Sequence, residues 1–94
     1  MSETKNRDMR LSDILSHKLN PQALIITNQS DKHSHHSGDD GTGQTHYDVT
    51  IISDAFSGIS KVNRHRMVTD LLQSEFDTGL HALSLTLKTP QEDV

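Results

Sequence analysis

Cysteine is absent from these 94 residues. No disulfide therefore holds the fold, and the chain can supply neither a thiolate nucleophile nor a thiolate metal ligand. Aromatic residues make up 3% and hydrophobic residues 31%. The core must be small, one sheet face covered by helices in a single domain over 1–94. No apolar run approaches the ~20 residues that a membrane span needs. The opening MSETKNRD is charged and has no apolar segment, which argues against a secretory signal or transit peptide and for a cytoplasmic protein away from the membrane. A basic excess is missing too. The formal net charge is −4 with histidines neutral, a poor starting point for a nucleic-acid binder. Catalytic patterns are equally scarce, with no Gly-rich phosphate loop, no supported Ser-His-Asp spacing and no convincing carboxylate pair. Asp39-Asp40 lies in a loop that moves too much to pre-organise a reaction. The expectation is a protein that is not an enzyme.

What the chain has in excess is histidine, 7 residues. Histidine titrates near physiological pH and is the commonest metal ligand among side chains. His33, His35 and His36 cluster in the stretch QSDKHSHHSGDDGTGQT over 29–45, and His46 follows it. That stretch holds almost nothing to bury and reads as a long mobile loop. Imidazoles at such local concentration pick up zinc, copper or nickel opportunistically. A closed structural site of four ligands is not visible without cysteine.

Hydrophobic periodicity gives the order α-β-β-α-β. A first helix spans 8–19, with Leu11, Ile14, Leu15 and Leu19 on one face and Asn20-Pro21 as its stop. A strand over 23–28 points Leu24 and Ile26 one way and Ile25 the other. The strand over 46–53 alternates Tyr47, Val49 and Ile51 with Asp48 and Thr50. A turn over 54–59 places Phe56 at the core edge. The helix over 60–76 follows, capped by Ser60, striped by Val68, Leu71, Leu72 and Phe76, and stopped at Gly79. Lys61, Arg64 and His65 continue that stripe backwards, so the buried face becomes cationic in the first turn. Cations there oppose the helix dipole by roughly 0.3–1 kcal/mol each, a cost that an anionic partner would reverse. A third strand over 80–87 carries Leu83, Leu85 and Leu87 on one face, with His81 at its leading end. The strands flanking the second helix are expected to be parallel through a right-handed crossover. The first two are expected to be antiparallel, making a mixed three-stranded sheet with helices on one face.

An ordered series of short motifs then narrows the reading. Asn28-Gln29-Ser30 with His33, Gln44-Thr45-His46-Tyr47, Phe56-Ser57-Gly58, Asn63-Arg64-His65-Arg66-Met67-Val68, Leu80-His81-Ala82-Leu83 and Thr89-Pro90 together resemble the BolA family. The resemblance covers about 11–90, and the long loop is similar to a bacterial, histidine-loop member. It implies a KH-like type II α/β sandwich, in agreement with the order derived above. It also implies a non-catalytic adaptor, a monomer alone, that pairs with a monothiol glutaredoxin and co-ligates a 2Fe-2S cluster with that partner's cysteine and bound glutathione. A homodimer is compatible with it. By position, His81 matches the family's cluster-ligating histidine and His33 the second candidate, while His35 and His36 compete with His33. His65 matches the histidine of the Arg-His-Arg motif, which shapes the partner surface. Lys61, Arg64 and Arg66 are suited by charge to carboxylates of glutathione or of the glutaredoxin. Imidazole on one iron and thiolate on the other resembles a Rieske arrangement, and protonation of the imidazole would release it. Two positions depart from the family's habit, Gln29 for a glutamate and Thr69 for an aromatic. The alternative is a KH-like DNA-binding regulator of stress and morphology genes. The Gly-x-x-Gly clamp of RNA-binding KH modules is absent, since Ile59-Ser60-Lys61 follows Gly58.

Overall fold

A computed structural model describes residues 6–30 and 45–93. The first helix, α1 (Arg7–Leu19), starts at Asn6, whose side chain accepts a hydrogen bond from the Met9 amide at 3.0 Å. Leu11, Leu15 and Leu19 recur at helical spacing and are buried. Asn20 ends the helix in the left-handed region, φ 44°, one residue before Pro21, as an asparagine can with little strain.

Strands β1 (Ala23–Asn28) and β2 (His46–Ile52) pair antiparallel, with Ile26 opposite Val49. Strand β3 (Ala82–Lys88) pairs with β2 in parallel, from His46 opposite Ala82 to Ile52 opposite Lys88. The sheet order is β1-β2-β3, which is the mixed three-stranded sheet expected. Tyr47, Val49 and Ile51 face the helices and are buried with Leu11, Leu15, Phe56, Val68 and Leu72. Ile25 points away from that core and is 58% exposed. Phe56 sits in a 3-10 turn over Asp54–Phe56, followed by Gly58 at φ 75°. A second such turn, Pro90–Glu92, ends the described chain and is fixed by a reciprocal capping box between Thr89 and Glu92.

The helix expected over 60–76 is two helices, α2 (Lys61–Leu71) and α3 (Gln73–Asp77). At Leu72 the backbone turns to φ −101°, ψ 15°. Its amide is shared between the carbonyls of Val68 and Thr69 at 3.1 and 3.2 Å, the tightening of a helical end. The stripe still runs across the break, and its next member is Glu75 rather than a hydrophobe. Glu75 accepts from Arg7 at 3.1 Å and from Arg10 at 2.9 Å, and the Arg7 guanidinium also donates to the carbonyls of Glu75 and Thr78. Gly79, φ 126°, then closes a Schellman motif: the Leu80 amide reaches the Glu75 carbonyl at 2.8 Å and the Gly79 amide that of Phe76 at 3.5 Å. That motif uses Leu80, so β3 begins at Ala82 rather than at 80.

Arg7 and Glu75 are both about 95% buried, with side chains 4% and 5% exposed. Removing one partner of such a pair leaves an uncompensated charge in the core, a loss of about 3–5 kcal/mol. Glu75→Ala is therefore expected to lower stability by about 3 kcal/mol or more, read as a lower urea midpoint. Exchanging exposed Gln73 for Ala is expected to leave the midpoint within about 0.5 kcal/mol of its starting value.

Candidate functional site

Because β2 and β3 are parallel, their first residues share one end of the sheet. His46 begins β2, and His81 immediately precedes β3. The His81 and Ala82 amides both donate to the Thr45 carbonyl, at 2.8 and 3.0 Å. The His81 side chain is exposed, as expected at the leading end of the strand, and His46 is 7% exposed. Their ring centres are 5.3 Å apart with planes tilted by 53°. Thr45 Oγ1 lies 2.7 Å from His46 Nδ1. Ser30, 3% exposed, accepts from the amides of Thr45 and His46 at 2.9 and 3.1 Å. The ends of the connection between β1 and β2 are thus fastened to each other beside the histidines. A cleft of about 580 Å³ lined by Gln29, His46, Asp48, Ala82 and Ser84 adjoins them. His33, His35 and His36, and the Asp39-Asp40 pair, lie outside the described residues.

His46 is the member that sequence reasoning did not select. The signal was present in the topology: two parallel strands with a histidine at, or one residue before, their starts must bring those histidines together. Reading each strand separately hid it.

The cationic turn lies toward the other end of β3. Lys61, Val62, His65 and Arg66 line a hollow of about 410 Å³, and Lys61 and His65 also line a cleft of about 320 Å³ against Leu85, Thr86, Leu87 and Lys88. At a rise of about 3.3 Å per residue, this surface is on the order of 15 Å along β3 from His81. Ser60 caps α2, accepting from the Asn63 amide at 3.2 Å, and the first turn holds no acidic residue. The structure therefore does not bring the basic turn and the histidines into one pocket. It presents them as two separated stations on the same side of the sheet order, both adjoining β3.

Arg64, grouped by charge with Lys61 and Arg66 as suited to partner carboxylates, instead turns inward to a carboxylate of this chain. Its side chain is 6% exposed and forms a two-pronged ion pair with Glu92, at 2.6 and 3.0 Å. Its Nε donates to the Ile59 carbonyl at 2.8 Å, and Nη1 to that of Leu87 at 3.3 Å. The guanidinium also lies 5.9 Å from the centre of the Phe56 ring. Arg64 continues the buried stripe as the sequence suggested, but it stays inside and ties α2 to the C-terminal turn. Lys61, His65 and Arg66 are exposed.

Elsewhere, burial and the hydrogen bond to Asp8 at 2.5 Å push the Tyr47 phenol well above its ordinary pKa. Tyr47 thus remains a neutral core residue.

These features define a cysteine-free α+β fold that offers imidazole at one end of a parallel strand pair and cationic side chains toward the other. The family described as BolA-like protein matches residues 15–92. The chain belongs to that family. It is 46% identical over 93 residues to the UV-induced protein uvi31 of Schizosaccharomyces pombe, covering 95% of this chain and 91% of that protein. Against the chloroplastic protein BOLA1 of Arabidopsis thaliana it is 44% identical over 90 residues, which is 94% of this chain and 56% of the relative. It spans 24% of the Arabidopsis SufE-like protein 1, at 45% identity over 93 residues and 93% of this chain. The DNA-binding transcriptional regulator BolA of Vibrio cholerae is 36% identical over 78 residues, 83% of this chain and 70% of that protein. The solved structure of BolA1 from Arabidopsis superposes with a TM-score of 0.87 at 42% identity, covering 98% of this chain and all of that one. Among the described residues, no helix is long and apolar enough to cross a membrane.

The Arg64 ion pair generates a pH prediction. The Arg64 hydrogen bonds, helped by the Thr89 amide, hold the Glu92 carboxyl at about 2 against an ordinary 4.5. A carboxyl depressed on folding stabilises the native state fully above its unfolded value and loses that contribution as pH falls through the folded one. The loss should therefore run from about pH 4.5 down to about pH 2. Glu92→Gln is expected to lower the melting temperature at pH 6 and to flatten its fall across that window, measured by circular dichroism.

Proposed function

We propose that this chain is a non-enzymatic, cytoplasmic adaptor that binds a monothiol glutaredoxin and ligates, through histidine, a 2Fe-2S cluster shared with that partner and its glutathione. The observation that carries the reading is the position of His81: exposed, at the leading end of β3, with its backbone fixed to Thr45. A ligand held on a strand end is pre-organised, and one exposed there is reachable by a metal centre brought from outside. The donor chemistry fits such a division of labour. This chain has no cysteine, so it can give imidazole nitrogen while sulfur donors come from the partner and glutathione. When bound, the cluster would supply one-electron redox chemistry at a potential that imidazole ligation raises relative to all-thiolate ligation. His33, with His35 and His36 as competitors, is the loop ligand implied by family resemblance. Lys61, His65 and Arg66 would receive partner or glutathione carboxylates, with the unneutralised N-terminus of α2 adding to the attraction. Arg64 is engaged with Glu92 and supports that turn from within.

The test is co-expression with a monothiol glutaredoxin. A coloured heterodimer is expected, whose visible spectrum changes with His81→Ala; a change with His33→Ala as well would assign the second imidazole to the loop. A colourless mixture of unassociated proteins would overturn the proposal.

One observation favours a second reading. The Vibrio cholerae relative is named a DNA-binding transcriptional regulator, and Lys61 and Arg66 of this chain are exposed cations that could meet phosphates. The net charge of −4 works against it. If DNA is a partner, retention on a DNA column should weaken steeply with salt and fall further with Lys61→Ala and Arg66→Ala. Arg64 is unsuited to that test because its loss disturbs the fold. Elution of the unmodified chain with the void volume at low salt would exclude this reading.

A further inference from the structure

We propose that His46, in the place that family resemblance implies for His33, is the second imidazole of the metal site, paired with His81 on one metal centre and set in orientation by Thr45. As a ligand to a shared cluster, this deepens the reading above and rests on it; for a single divalent ion such as zinc it needs no partner.

The distance is the first support. A metal–nitrogen bond of about 2.0–2.1 Å places the metal about 3.2 Å from the centre of an imidazole ring, and a near-tetrahedral angle then separates two such ring centres by about 5 Å. The observed separation is 5.3 Å. The second support is rigidity. Neither histidine belongs to residues 31–44. His46 opens a strand, its amide is held by Ser30, and the Thr45 carbonyl receives the amides of both His81 and Ala82. Two backbone positions fixed through one shared residue leave only side-chain adjustment to take a metal.

The third support is the contact on Nδ1. Thr45 Oγ1 lies 2.7 Å from His46 Nδ1, and Thr45 is fully buried. With that hydroxyl accepting, the neutral ring carries its proton on Nδ1 and its lone pair on Nε2. Metal-bound histidines are commonly oriented in this manner by a hydrogen bond to the other ring nitrogen. Thr45 is then a positioning residue. Exposed His81 would meet the incoming metal first, and the nearly buried His46 would complete the pair beside the cleft lined by His46, Asp48, Ala82 and Ser84.

Ordinary packing of two rings also gives spacings near 5 Å, so the test must read the nitrogens themselves. The isolated full-length chain is titrated with zinc while ring nitrogen resonances are followed by NMR, in a His33→Gln, His35→Gln, His36→Gln background that removes the loop imidazoles. The ring signals of His46 and His81 are expected to move together and to saturate at one zinc. His81→Ala, an exposed position, should weaken that binding by about tenfold or more. Thr45→Val should weaken it by about tenfold and shift the metal-free His46 ring away from the Nδ1-protonated tautomer, which a purely structural role for Thr45 would not do. Movement of the His81 ring with the His46 ring unmoved, or no zinc binding in the loop-substituted chain, overturns the inference. The two proposals fail separately. Paired ring shifts with no coloured glutaredoxin heterodimer would sink the cluster reading alone. A coloured heterodimer with an unresponsive His46 would sink this one alone.

Discussion

The parallel pairing of β2 with β3 is the constraint from which the rest of the molecule follows. Two parallel neighbours cannot be joined by a tight turn, so the chain must cross over the sheet and return. That crossing is α2 and α3, and it supplies the face that covers Tyr47, Val49 and Ile51. The same constraint assigns the imidazole end and the cationic end. The chain leaves β2 at Ile52 and starts α2 near Leu87 and Lys88, which puts the basic turn there. It re-enters at His81, beside the start of β2. Imidazole and cation are therefore separated because the strands run the same way.

A core this small needs more than apolar contact. Two arginines lie almost wholly inside the fold, Arg7 at 4% and Arg64 at 5% exposure, and each is met by a carboxylate from a distant part of the chain. Arg7 and Arg10 bring α1 to α3 through Glu75. Arg64 brings α2 to the last turn through Glu92. Of these pairs, Arg7–Glu75 adds less net stability than a well-packed hydrophobe would, because both of its charges leave water, whereas the Glu92 side chain stays 42% exposed. What they impose is register. A helix that slid by one residue would strand a charge, whereas a sliding leucine would find another apolar neighbour.

Most of the fold was legible because its strands alternate cleanly and its helices carry regular stripes. Ile25, Tyr47, Val49 and Ile51 lie on the sides that alternation assigns them. The break at Leu72 was not legible, since Val68, Leu72 and Phe76 fit an unbroken helix equally well. The buried pairing of Glu75 and the inward turn of Arg64 were not legible, for a shared reason. A charged residue on a stripe looks like the stripe's edge until its opposite charge is located, and Glu92 is 28 positions from Arg64. The exposure of His81 followed from its place at a strand end. His46 did not follow, because its relation to His81 lies between two strands, and a pattern read along one chain segment has no way of expressing it.

The Ser30 hydroxyl has a consequence for how this scaffold can change. By accepting the amides of Thr45 and His46, it makes the departure and return points of residues 31–44 into neighbours, next to the last β1–β2 pair, Asn28 opposite Tyr47. Lengthening a closed loop costs only about 0.6 kcal/mol per doubling. Changes of length or composition between those two points should therefore leave the sheet beneath with its shape.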